Sequence, residues 1–118
     1  MNQPANTVTV HPYFKIKPGK VEEFKSLIPS FLEITRTERL NLYYEFTFNG
    51  DVACCREAYL GAEGFLKHLE GVGALLAKAL ELASLQRLEV HGTEPELALL
   101  KPHLAGLNPE WFVYYAGV

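Results

Sequence analysis

The chain has 118 residues, 48% of them apolar and 21% charged, which is the composition of one compact soluble domain and sets aside disordered, collagen-like and coiled-coil classes. Eleven Lys and Arg against fourteen Asp and Glu give a net charge of −3, the wrong sign for a phosphate-binding surface. No apolar run approaches the ~20 residues of a membrane span, and Met1 to Asn6 lack the basic region and apolar core of a secretory signal, so a cytoplasmic protein is expected.

Residues 7–17 alternate Val8, Val10, Phe14 and Ile16 with Thr7, Thr9, His11 and Lys15. That is the period of a strand with one buried face, and Pro18-Gly19 ends it. From Lys20 to about Thr37, Val21, Phe24, Leu27, Ile28, Phe31 and Ile34 recur at helical spacing. Glu22 and Glu23 near its start and Arg36 near its end suit the helix dipole. Pro29 removes a backbone donor inside this segment, which predicts a kink or two shorter helical pieces.

Asn49-Gly50 stands between two strand-like runs, 42–48 and 51–59, and predicts a two-residue hairpin turn centred on that pair. The implied register opposes Tyr44 to Cys55, Phe46 to Ala53 and Leu42 to Glu57. One face then carries Leu42, Tyr44, Phe46, Phe48, Ala53, Cys55, Glu57 and Tyr59. The other carries Tyr43, Glu45, Thr47, Val52, Cys54, Arg56 and Ala58, with Glu45 and Arg56 near enough to pair.

From Ala62 to Ala83 a helical stripe runs through Phe65, Leu69, Val72, Leu76 and Ala79, and Gly71 and Gly73 predict a bend or break in its middle. Residues 85–91 read as a strand. Thr93 and Glu96 have the spacing of a capping box that would open a short helix through Leu97, Leu100 and Leu104. Residues 111–115 are apolar on both faces and should be covered on both sides.

Strand, helix, hairpin, helix, strand is the βαββαβ order of a ferredoxin-like sandwich. The prediction is thus a single α+β domain over 1–118 with an extra short helix and a C-terminal strand. Helices on one face of an antiparallel sheet leave the other face bare. Tyr43, Val52, Cys54, Ala58 and the two-sided terminal strand predict a homodimer packed sheet against sheet.

Three pieces of the chain resemble the antibiotic-biosynthesis monooxygenase-like dimeric α+β barrels. They are residues 8–20 leading into the first helix, Arg56-Glu57-Ala58-Tyr59 at the family's Glu-x-Trp, and Phe65-Leu66-Lys67-His68-Leu69 at its second-helix histidine. The resemblance implies a homodimeric barrel with an apolar pocket in each subunit and, for some members, oxidation of quinols or polycyclic phenols by O₂ without metal or flavin. Tyr59 replaces the family's tryptophan, and Gly73 stands where some quinol-oxidising members carry a second histidine. Pro12, His68 and Lys78 occupy the places where the haem-degrading branch has its Asn, Trp and His, so the resemblance does not extend to haem ligation.

The residues themselves point to a pocket between the two long helices and the sheet, lined by Tyr44, Phe46, Tyr59, Phe24, Phe65 and Ile28, with Glu57 and His68 as its polar groups. Such a pocket suits a small aromatic ligand. Burial would raise the Glu57 pKa and fit it to take a proton from a phenol; a solvated or hydrogen-bonded Glu near the strand's end is the plainer alternative. His68 could exchange a proton near neutral pH or simply cap the edge of the core. No metal-ligand spacing, phosphate loop or dinucleotide fingerprint is present, and the adjacent Cys54 and Cys55 face opposite ways. No metal or cofactor is therefore expected. RNA recognition, which the same element order also serves, is disfavoured by the acidic chain and a strand lacking the stacking aromatics. The function expected is cofactor-independent oxygenation of a small phenol or quinol, with a non-catalytic binder or dimerisation scaffold as the alternative.

Overall fold

The computed structural model describes residues 4–118. The chain runs β1 (Thr7–Ile16), α1 (Val21–Arg36), β2 (Asn41–Asn49), β3 (Val52–Leu60), α2 (Gly61–Leu82), β4 (Ala83–Gly92), α3 (Glu94–Leu104), a 3₁₀ turn (Ala105–Leu107) and β5 (Glu110–Val113). The strands form one sheet in the order β2-β3-β1-β4-β5. All neighbours are antiparallel except β4 and β5, which are parallel. The first six elements make the ferredoxin-like βαββαβ unit, and α3 and β5 extend it.

The alternation in β1 decides which face of the sheet is covered. Val8, Val10, Phe14 and Ile16 are buried while Thr9, His11 and Tyr13 between them are only half-covered. One buried cluster joins Val8, Val10, Tyr59 and Phe65 to Leu97, Leu100 and Leu104 of α3, and a second joins Phe14, Ile16 and Ala53 to Phe24 and Phe31 of α1 and Val72 and Ala79 of α2. The helices thus lie on one face.

Both long helices are continuous, against the expectation of breaks at Pro29 and at Gly71 and Gly73. Pro29 is exposed, and Phe24, Phe31 and Thr35 anchor α1 on either side of it. Phe65, Val72 and Ala79 do the same for α2. Packing of an apolar face outweighs the local cost of a poor helix former.

The hairpin register differs from the expected one by two residues. Tyr44 faces Glu57, Phe46 faces Cys55 and Phe48 faces Ala53, so the turn is centred on Gly50-Asp51. Gly50 alone takes a positive φ, 60°, the pattern of a type II′ turn with Gly first. Asp51 is held from outside the hairpin: its carbonyl accepts from the Ile16 amide at 2.8 Å and its carboxylate pairs with Lys15 at 2.6 Å. Because the shift is even, every side chain keeps its expected face, and Glu45 pairs directly with Arg56 at 3.1 Å. Leu42 is the exception. The ladder is irregular between Asn41 and Tyr43, and Leu42 is 42% exposed.

Glu96 does not close a capping box with Thr93, which makes no side-chain cap. Its carboxylate instead accepts the Ala62 amide at 2.7 Å and so caps the start of α2, where an anion is favoured. The uncovered sheet face is also more polar than expected, with Arg87 pairing to Glu89 at 2.6 Å and Tyr13 donating to Glu89 at 3.3 Å. Of the terminal apolar strand only Trp111 packs on the core, while Phe112 and Val113 remain 39% and 56% exposed.

Candidate active site

β3 presents Cys55, Glu57 and Tyr59 to the helix layer, where all three are buried. The Tyr59 hydroxyl donates to Glu57 Oε1 at 2.6 Å. At the start of α2 the backbone comes so close to the sheet that a Cβ on Gly64 would lie 3.0 Å from the Cβ atoms of Leu40 and Tyr59. One turn later this approach buries His68, its ring centred 4.8 Å from that of Tyr44 and 5.4 Å from that of Tyr59.

His68 joins two carboxyl groups. Its Nδ1 is 3.0 and 3.1 Å from the two oxygens of Glu38, and its Nε2 is 3.7 Å from Glu57 Oε1. A carboxylate at Glu38 can only accept, so this contact assigns the imidazole hydrogen to Nδ1 and leaves the Nε2 lone pair towards Glu57. Glu38 follows the end of α1, where its amide donates to the Thr35 carbonyl at 3.0 Å.

Burial governs the charge states. It pushes Glu57 up to about 8, against the lowering effect of the Tyr59 hydrogen bond. It pulls His68 down to about 4, so the imidazole is neutral at pH 7. It also raises Glu38, and it raises Tyr44 and Tyr59 so that both phenols keep their protons. A carboxyl group near pKa 8 beside a neutral imidazole can take or give a proton close to physiological pH.

The cluster forms the end of an apolar cavity of about 80 Å³ between the helices and the sheet. Tyr44, Phe46, Phe24, Phe65, Glu57 and His68 line it. Tyr59 and Ile28 do not: Tyr59 lies behind Glu57 as its hydrogen-bond donor, and Ile28 is half-buried outside the lining. Sequence reasoning missed Glu38, because nothing in the loop's pattern ties it to a histidine thirty positions away. It also missed Leu104 and Leu107 as cavity walls, since the leucine spacing of α3 shows a buried face but not what that face borders.

Among the described residues, no group of three or more His, Cys, Asp or Glu side chains is placed to hold a metal ion. No helix among them is long and apolar enough to cross a membrane. No family model matches the chain, and no curated protein is similar to it in sequence. Solved structures are more informative. MupZ from Pseudomonas fluorescens superposes with a TM-score of 0.91 and is 40% identical over 96% of this chain and 93% of its own. An antibiotic biosynthesis monooxygenase superposes with a TM-score of 0.62 at 20% identity, over 70% of this chain and 92% of its own.

The chain belongs to the antibiotic-biosynthesis monooxygenase-like family.

Rv0793 from Mycobacterium tuberculosis shares the fold at 19% identity with a TM-score of 0.63, over 71% of this chain and 89% of its own. The match to MupZ runs nearly the full length, so it takes in the α3 segment that supplies Leu104 to the cavity.

Proposed function

We propose that the protein is a cofactor-independent oxygenase of a small phenol or quinol, with Glu57 as the proton acceptor. The observation that carries this reading is a buried carboxyl group, its pKa pushed up to about 8, at the polar end of an apolar cavity. A base of that strength suits a weakly acidic phenol far better than an ordinary carboxylate, because efficiency in proton transfer grows as the pKa values approach each other. Tyr59 holds the carboxyl in place, and the Glu38–His68 pair offers Nε2 to the same substrate hydroxyl. Once deprotonated, an electron-rich phenolate reacts with O₂. The ring keeps one oxygen atom as a new carbonyl, the other leaves as water with the displaced ring and hydroxyl hydrogens, and all four electrons that reduce O₂ come from the substrate itself. The apolar walls position the ring and keep bulk water away from the anion.

Oxygen uptake with a panel of phenols and quinols tests the reading directly. Uptake is expected to rise with pH through about 8, as Glu57 becomes a carboxylate. A second reading rests on the same group: below pH 8 Glu57 is chiefly a carboxylic acid, fitted to donate a proton to a substrate oxygen. That reaction consumes no O₂ and fades through pH 8. Saturable binding without turnover of either kind supports a non-catalytic binder instead.

We also propose a homodimer in which the uncovered sheet faces meet. The support is that, among the described residues, the helices pack on the opposite face, and that Tyr43 (44%), Phe112 and Val113 are exposed there or at its edge. Light scattering should give twice the 13.3 kDa chain mass, and a monomer at micromolar concentration rejects the proposal.

A further inference from the structure

The polar groups of the cavity are gathered at one end. Of the lining side chains only Tyr44, Cys55, Glu57 and His68 carry polar atoms, and they sit together. Tyr44 faces Glu57 across the hairpin, Cys55 lies two residues away on β3, and His68 touches both Tyr44 and Glu57. From that end the cavity follows α2 through Val72, Leu76, Ala79 and Leu80. The distance from His68 to Leu80 along the helix is ~18 Å at 1.5 Å per residue. Across the sheet, the step from β2 to the cavity-lining leucines of β4 is ~14 Å, three strand spacings. At the far end Leu80 and Leu107 are 39% and 41% exposed, so the cavity opens there, beside the 3₁₀ turn after α3. The lining thus reaches from the polar group to exposed leucines ~18 Å away along α2.

We propose that the natural substrate bears its oxygen function at one end only, on an aromatic ring with an extended apolar tail, and enters polar end first. A para-quinol fits poorly. Its second hydroxyl would be buried among leucine and phenylalanine side chains with no partner, which costs binding. This inference rests on the reading of Glu57 and His68 as the reacting end, and it narrows the substrate from phenol or quinol to the former.

Calorimetric titration under argon tests recognition apart from turnover. The probes are p-cresol, hydroquinone and 4-alkylphenols from ethyl to octyl. p-Cresol, which has the shape of hydroquinone but one hydroxyl, is expected to bind at least about fivefold more tightly. Each added methylene is expected to tighten binding by up to about fourfold, with one ligand per chain. Leu107→Ala, at the exposed mouth, should weaken 4-octylphenol severalfold more than it weakens p-cresol. Equal affinity for p-cresol and hydroquinone, a flat length series, an equal effect of Leu107→Ala on short and long probes, or no saturable binding each overturns the proposal. Oxygen uptake measured in parallel separates the two readings. A length series in binding with no uptake by any member leaves this inference standing and removes the oxygenase.

Discussion

Replacing Glu57 by Gln is expected to abolish a loss of stability that the wild-type protein suffers between about pH 6.5 and 8. Burial raises Glu57 from 4.5 to about 8, so across that window the folded chain binds one proton more than the unfolded chain. Stability then falls as pH rises. His68 works in the opposite sense. Its pKa is held at about 4 against an ordinary 6.5, so between those values the unfolded chain binds the extra proton and stability rises with pH. The two slopes cancel where the windows overlap, which leaves a net fall of ~2 kcal/mol from pH 6.5 to 8 at 1.36 kcal/mol per pH unit. For a chain of this size that is roughly 5–10 °C in melting temperature. Glu57→Gln keeps the shape and the acceptor for the Tyr59 hydroxyl but cannot ionise, so it should melt without the fall between about pH 6.5 and 8. A wild-type melting temperature that holds steady from pH 6.5 to 8 would contradict the charge state assigned to this carboxyl.

The same substitution carries the largest expected effect on activity. Glu57→Gln and His68→Ala should each lower oxygen uptake by ~10² if proton removal is the main contribution. The amide introduced by Glu57→Gln keeps the carboxyl's place among Tyr44, Cys55 and Tyr59 but has no proton affinity to offer. His68→Ala removes the Nε2 lone pair and leaves Glu38 without its partner. Glu38→Ala should fall between wild type and His68→Ala, since the imidazole remains but Nδ1 loses the acceptor that sets its tautomer. Circular dichroism on each variant separates lost chemistry from lost fold, because His68 is part of the buried layer. Undiminished uptake in both Glu57→Gln and His68→Ala rules these residues out of the reaction.

Local periodicity was enough for the parts of the chain whose neighbours are set by short-range geometry. The alternation of Val8, Val10, Phe14 and Ile16 marks one side of β1, and the 3.6-residue recurrence of Phe24 and Phe31, and of Phe65, Val72 and Ala79, marks the inner faces of both helices. Side-chain parity in the hairpin survives a two-residue slip, so Tyr44, Phe46 and Glu57 were assignable to the helix side even from the wrong register. What sequence could not decide depends on groups far apart in the chain. Turn placement is settled by the tie of Asp51 to Lys15 and Ile16 on β1, and the role of Glu96 by the orphan amide of Ala62 on another helix. Unbroken helices at Pro29, Gly71 and Gly73 reflect burial summed along a whole face, which outweighs a local propensity cost. The Glu38–His68–Glu57 cluster belongs to the same class. Each residue is ordinary in its own segment, and their proton affinities arise only when a loop, a helix and a strand exclude water from one small volume.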